Sequence, residues 1–181
     1  MRHPVSAEIH ELSAEDARRA EGLRGYFVET HGHRPSESLI AAALANSSAA
    51  AGLTDLADPS VRMVFADAGQ EPALQLQGAG DHIQWELTLA RQGHLAIALA
   101  WPGRRGRPGA LSAILDAGGA SPTWVSGGQA GNRGGDSVHV LRVVGAPAGR
   151  YLLTVTAEAV ARAPQPFALV VSGPVAGLAL A

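Results

Sequence analysis

The stretch DHIQWELTLARQGHLAIALAW (residues 81–101) decides the fold class. In its first half, Ile83, Trp85, Leu87 and Leu89 alternate with His82, Gln84, Glu86 and Thr88. In its second half, Leu95, Ile97, Leu99 and Trp101 alternate with small residues. A period of two places one set of side chains on one face of an extended strand, so both halves read as β-strands. The RQG between them reads as a turn cluster that separates the two strands. The same alternation recurs downstream, through Tyr151, Leu153 and Val155 and again through Phe167, Leu169 and Val171. Shorter candidates are VRMVFAD (61–67), ALQLQ (73–77), ALSAILDA (110–117), PTWVS (122–126) and SVHVLRVV (137–144). Gly- and Pro-rich clusters separate them, and no helical segment intervenes after Pro59. Many short alternating strands with such turns predict an antiparallel sandwich or barrel, each sheet buried on one face and wet on the other.

Upstream the period changes to that of a helix. SAEDARRAEGLRGYFVETHG (13–32) offers Ser13 as an N-cap, Glu15 and Asp16 in the first turn, and Leu23, Tyr26 and Phe27 as an apolar face. Gly32 offers a stop, and Pro35 a first-turn position for a second helix. Leu39, Ile40, Ala43 and Leu44 form the buried stripe of that helix. The expected organisation is a helical N-terminal segment over 1–50 and a β-sandwich domain over 60–175.

Composition excludes several function classes. The net charge of −2 favours neither nucleic acid nor an anionic membrane surface. All 14 basic residues are arginine, which reads as codon bias. With no cysteine, disulfides, thiolate catalysis and cysteine-ligated zinc are ruled out. The first 22 residues lack the apolar segment of a signal peptide. No stretch reaches the about 18 apolar residues of a membrane span. A soluble chain without an export signal is therefore expected, its location otherwise open.

The order of the pieces resembles the C-terminal part of subtilisin-like serine proteases, in the branch carrying a jelly-roll β-barrel after the catalytic domain. The resemblance spans residues 23–173 and rests on three stretches. YFVETHGHRPSESLIAAALANSS (26–48) is similar to the family's nucleophile helix and the next helix. HLAIALAWPGRRGRPGALSAILDA (94–117) is similar to its LKVTLVWTDPPG…ALVNDLDL, with Gly131 and Asn132 matching a GN farther on. SVHVLRVVGAPAGRYLLTVTAEAVARAPQPFALVVSG (137–173) carries the most specific match, in PAGRY and PQPFALVVSG. The resemblance implies a jelly-roll sandwich of about eight or nine strands. It also implies a lost active site. The family's GTSMAxP would fall on EIHELSA (8–14), its serine on His10, and the Asp, His and oxyanion-hole residues would lie upstream. A serine without its base, orienting acid and oxyanion donors has no hydrolytic mechanism. Family polar residues are replaced too: Ala113, Ile114, Leu115 and Asp116 stand at NDLD, and Asp136, Ser137, Val138 and His139 at NNVE.

Candidate site residues are few. Trp124 flanks a Gly-rich loop and is the expected exposed contact, whereas Trp85 and Trp101 lie in the apolar phase and belong to the core. Arg104, Arg105 and Arg107, in WPGRRGRPG (101–109), offer an anion or glycan contact beside an aromatic. His31 and His33 lack a third metal ligand nearby, and Glu8, His10 and Glu11 lack a pocket. Asp55, Asp58, Asp67, Asp81 and Asp136 sit in loops or at strand ends; the resemblance leaves room for calcium, but no dense D-x-D-x-D run supports it. No catalytic residue, metal ligand or cofactor is assigned. The expected function is a non-catalytic, subtilase-derived accessory domain acting in protein binding or assembly, its partner a separate protease core, a peptide or another copy. The alternatives are a truncated fragment of a secreted subtilisin-like endopeptidase and a carbohydrate-binding jelly-roll module.

Overall fold

A computed structural model describes residues 14–32, 34–50, 58, 60–102, 109–118, 123–126, 137–160 and 162–181. Two helices, α1 (Ala14–His31) and α2 (Glu37–Ala50), precede nine strands. The strands are β1 (Arg62–Asp67), β2 (His82–Leu89), β3 (Gly93–Trp101), β4 (Ala110–Asp116), β5 (Thr123–Ser126), β6 (Ser137–Ala146), β7 (Gly149–Ala159), β8 (Ala168–Gly173) and β9 (Val175–Leu180). They form a four-stranded sheet in the order β1-β8-β3-β6 and a five-stranded sheet in the order β5-β4-β7-β2-β9. Every pairing is antiparallel.

The pairs β1·β8, β2·β7, β3·β6 and β4·β5 are nested, as in one long hairpin. Rolling that hairpin up brings β8 beside β3 and β7 beside β4 and closes the two sheets. This is jelly-roll order, to which β9 is added beside β2.

The alternation fills the space between the sheets. Trp85, Leu87 and Leu89 from β2, Leu95, Ile97, Leu99 and Trp101 from β3, and Leu153 and Val155 from β7 share one buried core with Phe167, Leu169 and Val171. Trp85 and Trp101 are buried as expected. The indole N–H of Trp101 donates to the carbonyl of Gly109 at 3.0 Å, which satisfies its polar end.

The other face of the four-stranded sheet departs from the expectation of a wet surface. Ala96, Ala98 and Ala100 on β3, and Ala168, Val170 and Ser172 on β8, are all buried. Helix α2 lies over them and contributes Leu39, Ala42 and Ala43 to a second core with Phe27 of α1. Alanines on both surfaces let helix and sheet approach closely. Asn46 fixes the contact: its side-chain amide, fully buried, donates to the carbonyls of Ala96 (2.6 Å) and Val170 (3.1 Å) on neighbouring strands. The molecule is thus layered α/β/β, with the five-stranded sheet facing outward.

Several local expectations are corrected. The N-cap of α2 is Ser36, whose hydroxyl accepts the amide of Leu39 at 3.1 Å, and Pro35 precedes the helix instead of starting it. Tyr26 does not follow Phe27 into the buried core; it is 56 % exposed, whereas Phe27 is buried. Leu44 is only half-buried, and Ala43 makes that contact. ALQLQ (73–77) is not a strand. Pro72 opens a 3-10 turn (Pro72–Leu74), after which Leu76 makes a single bridge to Gln165. Ser13 lies outside the described residues.

Candidate ligand-binding groove

β1 ends one sheet and β9 ends the other, and the two edges lie near each other on one side of the sandwich. The chain passes from β8 to β9 through Gly173, at φ +155, and a Cβ there would stand 2.6 Å from Leu95 Cδ2 and 2.7 Å from the His94 carbonyl. Only glycine allows so close a passage. This crossing carries the last strand over to the second sheet and leaves a groove of ≈ 660 Å³ beside β1.

The groove has apolar and polar walls. Phe65, Ala66, Leu74, Ala73 and Leu180 supply the apolar surface. Gln70 and Glu71 stand exposed on its rim. The loop that presents them is internally braced. Its amides at Gln70, Leu74 and Gln75 donate to the carbonyls of Asp67, Glu71 and Pro72, and the Gln75 side chain donates to the Ala68 carbonyl. Asp67 also lines the groove, but its carboxylate is engaged elsewhere. It accepts the Ser36 amide at 2.8 Å, the Ser36 hydroxyl at 2.5 Å and the Gly69 amide at 3.1 Å. Asp67 therefore ties the start of α2 to the end of β1 and stiffens this wall.

Asp67 apart, the described residues singled out from the sequence do not line the groove. Trp124 is on β5, paired with Leu115, at the opposite end of the five-stranded sheet from β9. Arg104, Arg105 and Arg107 lie outside the described residues, as do Glu8, His10, Glu11, His33, Asp55 and Asp136. His31 packs among aromatic rings, 5.1 Å from Phe65 and 5.5 Å from Phe27 between centroids. Asp58 pairs with Arg91 at 3.0 Å and accepts from Ser60, and Asp81 accepts the amides of Gln77 and Gly78. Among the described residues no group of three or more His, Asp or Glu side chains converges to hold a metal ion. No helix there is long and apolar enough to cross a membrane.

No family model matches the chain, and no curated protein does. Two similar solved structures are carbohydrate-binding modules. CBM35 from Cellvibrio japonicus Abf62 is 12 % identical, aligns over 62 % of this chain and 94 % of its own, and has a TM-score of 0.38. The CBM36-1 domain of a multidomain xylanase from the hindgut metagenome of Trinervitermes trinervoides is 14 % identical, aligns over 62 % and 97 %, and has a TM-score of 0.35. At these TM-scores the likeness carries no functional argument.

The resemblance to subtilisin-like proteases is overturned: no subtilase family matches, and the similar structures are carbohydrate-binding modules instead of subtilase C-terminal domains. The accessory-domain and protease-fragment readings built on it go with it. The matched stretches have local work in this fold that accounts for them. In PAGRY, Gly149 takes φ +145 at the entry to β7 and the Tyr151 hydroxyl donates to the Pro147 carbonyl at 2.7 Å. In PQPFALVVSG, the Gln165 backbone bridges Leu76, Phe167 fills the core, and Gly173 makes the sheet crossing. Strand-and-turn punctuation of this kind arises wherever a sandwich needs it.

Proposed function

We propose that this chain is a non-catalytic binding module that takes a carbohydrate in the groove between β1, the 3-10 turn and β9. The observation that carries the reading is the composition of the groove walls. A pyranose ring presents an apolar C–H face and a fringe of hydroxyls, so it needs both apolar surface and convergent hydrogen-bonding groups. Phe65, Leu74 and Leu180 offer the first, and Gln70 and Glu71 the second. The rim is exposed and braced, so little ordering accompanies binding.

A glycan array followed by calorimetry on the hits tests this. Glu71→Ala and Gln70→Ala are each expected to weaken binding about tenfold, the loss of one hydrogen bond to a charged or amide group, with unchanged melting temperature because both side chains are exposed. A blank array with folded protein would sink the reading. Trp124, on β5, is a second proposed contact, and Arg104, Arg105 and Arg107 are proposed with it from the sequence alone. Array binding lost in Trp124→Ala or Arg104→Ala but kept in Glu71→Ala would move the site there. Protein binding is the other reading, favoured by the edge positions of β1 and β9, which suit an added strand from an extended peptide.

A further inference from the structure

Phe65 belongs to two features at once. It lines the groove, and it also joins a cluster of aromatic rings on the helical side. Its ring lies 4.8 Å from Phe27 at 90° and 5.1 Å from His31 at 81°. Tyr26 extends the cluster outward, 5.6 Å from Phe27 and 6.2 Å from His31. Phe27 is buried and anchors the group in the core under α1, whereas Tyr26 and His31 are exposed. His31 is the last residue of α1, which closes through Gly32 at φ +71, its amide donating to the Val28 carbonyl at 3.0 Å.

From this continuity we infer that the binding surface runs out of the groove, over Phe65, and onto His31 and Tyr26, so that the ligand is an oligosaccharide chain instead of a single sugar. The inference rests on the carbohydrate reading of the groove. Sugar C–H groups carry partial positive charge and meet the negative faces of aromatic rings favourably. The Tyr26 hydroxyl adds a polar group to the same patch. Tyr26 contributes little to the core, being 56 % exposed, so its ring is accessible from solvent.

The test is calorimetry with cello-, xylo- and manno-oligosaccharides of one to six units, on the full chain and on its Tyr26→Ala and Glu71→Ala variants. In the series that binds, affinity should rise with chain length. Tyr26→Ala should weaken the hexasaccharide about three- to tenfold and leave the shortest binding ligand unchanged. Glu71→Ala should weaken all lengths alike. Affinity independent of length, or a Tyr26→Ala variant that binds the hexasaccharide like the parent while Glu71→Ala is impaired, overturns the extension and leaves the groove reading standing. If Tyr26→Ala instead changes the oligomeric state by light scattering without affecting sugar affinity, the patch is a self-association surface and the inference fails. No binding by any series at any length removes both readings.

Discussion

His139 sits on β6 opposite Leu99, buried, with its ring 4.8 Å from that of Trp101. Burial lowers its pKa below the usual histidine value, and Glu158 pulls weakly the other way. The folded protein therefore keeps this imidazole neutral where the unfolded chain would protonate it, below about pH 6.5. In that window the unfolded state binds more protons, so stability falls as pH falls and is complete above it. The melting temperature should be flat above about pH 7 and decline toward pH 5. His139→Gln should flatten part of the decline; an unchanged pH profile in the variant would show that another group sets it. The sequence placed His139 only as a departure from a family motif. Its burial depends on the β3–β6 register, which no single strand encodes.

At the scale of elements, the crossing from β8 to β9 is the most constrained connection. Gly173→Ala combines a backbone conformation that disfavours side chains with a Cβ 2.7 Å from the His94 carbonyl, a backbone atom that cannot swing away. Denaturant unfolding should show a loss of about 3 kcal/mol. A loss below about 0.5 kcal/mol would mean the crossing relaxes at little cost. The strands themselves were legible: Trp85 and Leu87 in β2, and Ile97, Leu99 and Trp101 in β3, announced them by period alone. β9 was not, because VAGLAL has the composition of a short apolar tail and becomes a strand only by pairing with β2.

For the molecule as a whole, the helical layer shares the four-stranded sheet with the sandwich core. Leu39 is fully buried between α2 and that sheet. Leu39→Ala should cost about 3 kcal/mol, as a cavity in a packed layer does. Because the sheet is common to both cores, the two layers should unfold together. Tryptophan fluorescence, reporting Trp85 and Trp101 in the sandwich, and far-ultraviolet circular dichroism, reporting helix, should then give coincident transitions, both shifted by Leu39→Ala. Separate transitions, with only the helical signal shifted, would show that the helices fold independently of the sandwich. Arg24 of α1 adds a link within the layer, donating to both carboxylate oxygens of Glu37 on α2 at 2.9 and 2.7 Å.

The sequence by itself determined both helices and the inward set of the long alternating strands, since a period of two or of 3.6 is a local property of side-chain spacing. It also held, unread, the sign of the third layer: alanines, where polar residues belong on a wet face, alternate with Leu95, Ile97 and Leu99. Tertiary structure alone decided the strand order, the pairing of β9, the helical cover and the groove. Phe65, Glu71, Leu74 and Leu180 carry no motif, and Leu180 is distant in the chain from the other three. They meet because rolling a long hairpin into two sheets brings the first edge and the last edge to the same side. A site made by the meeting of edges depends on contacts between remote segments, and these have no signature in local composition.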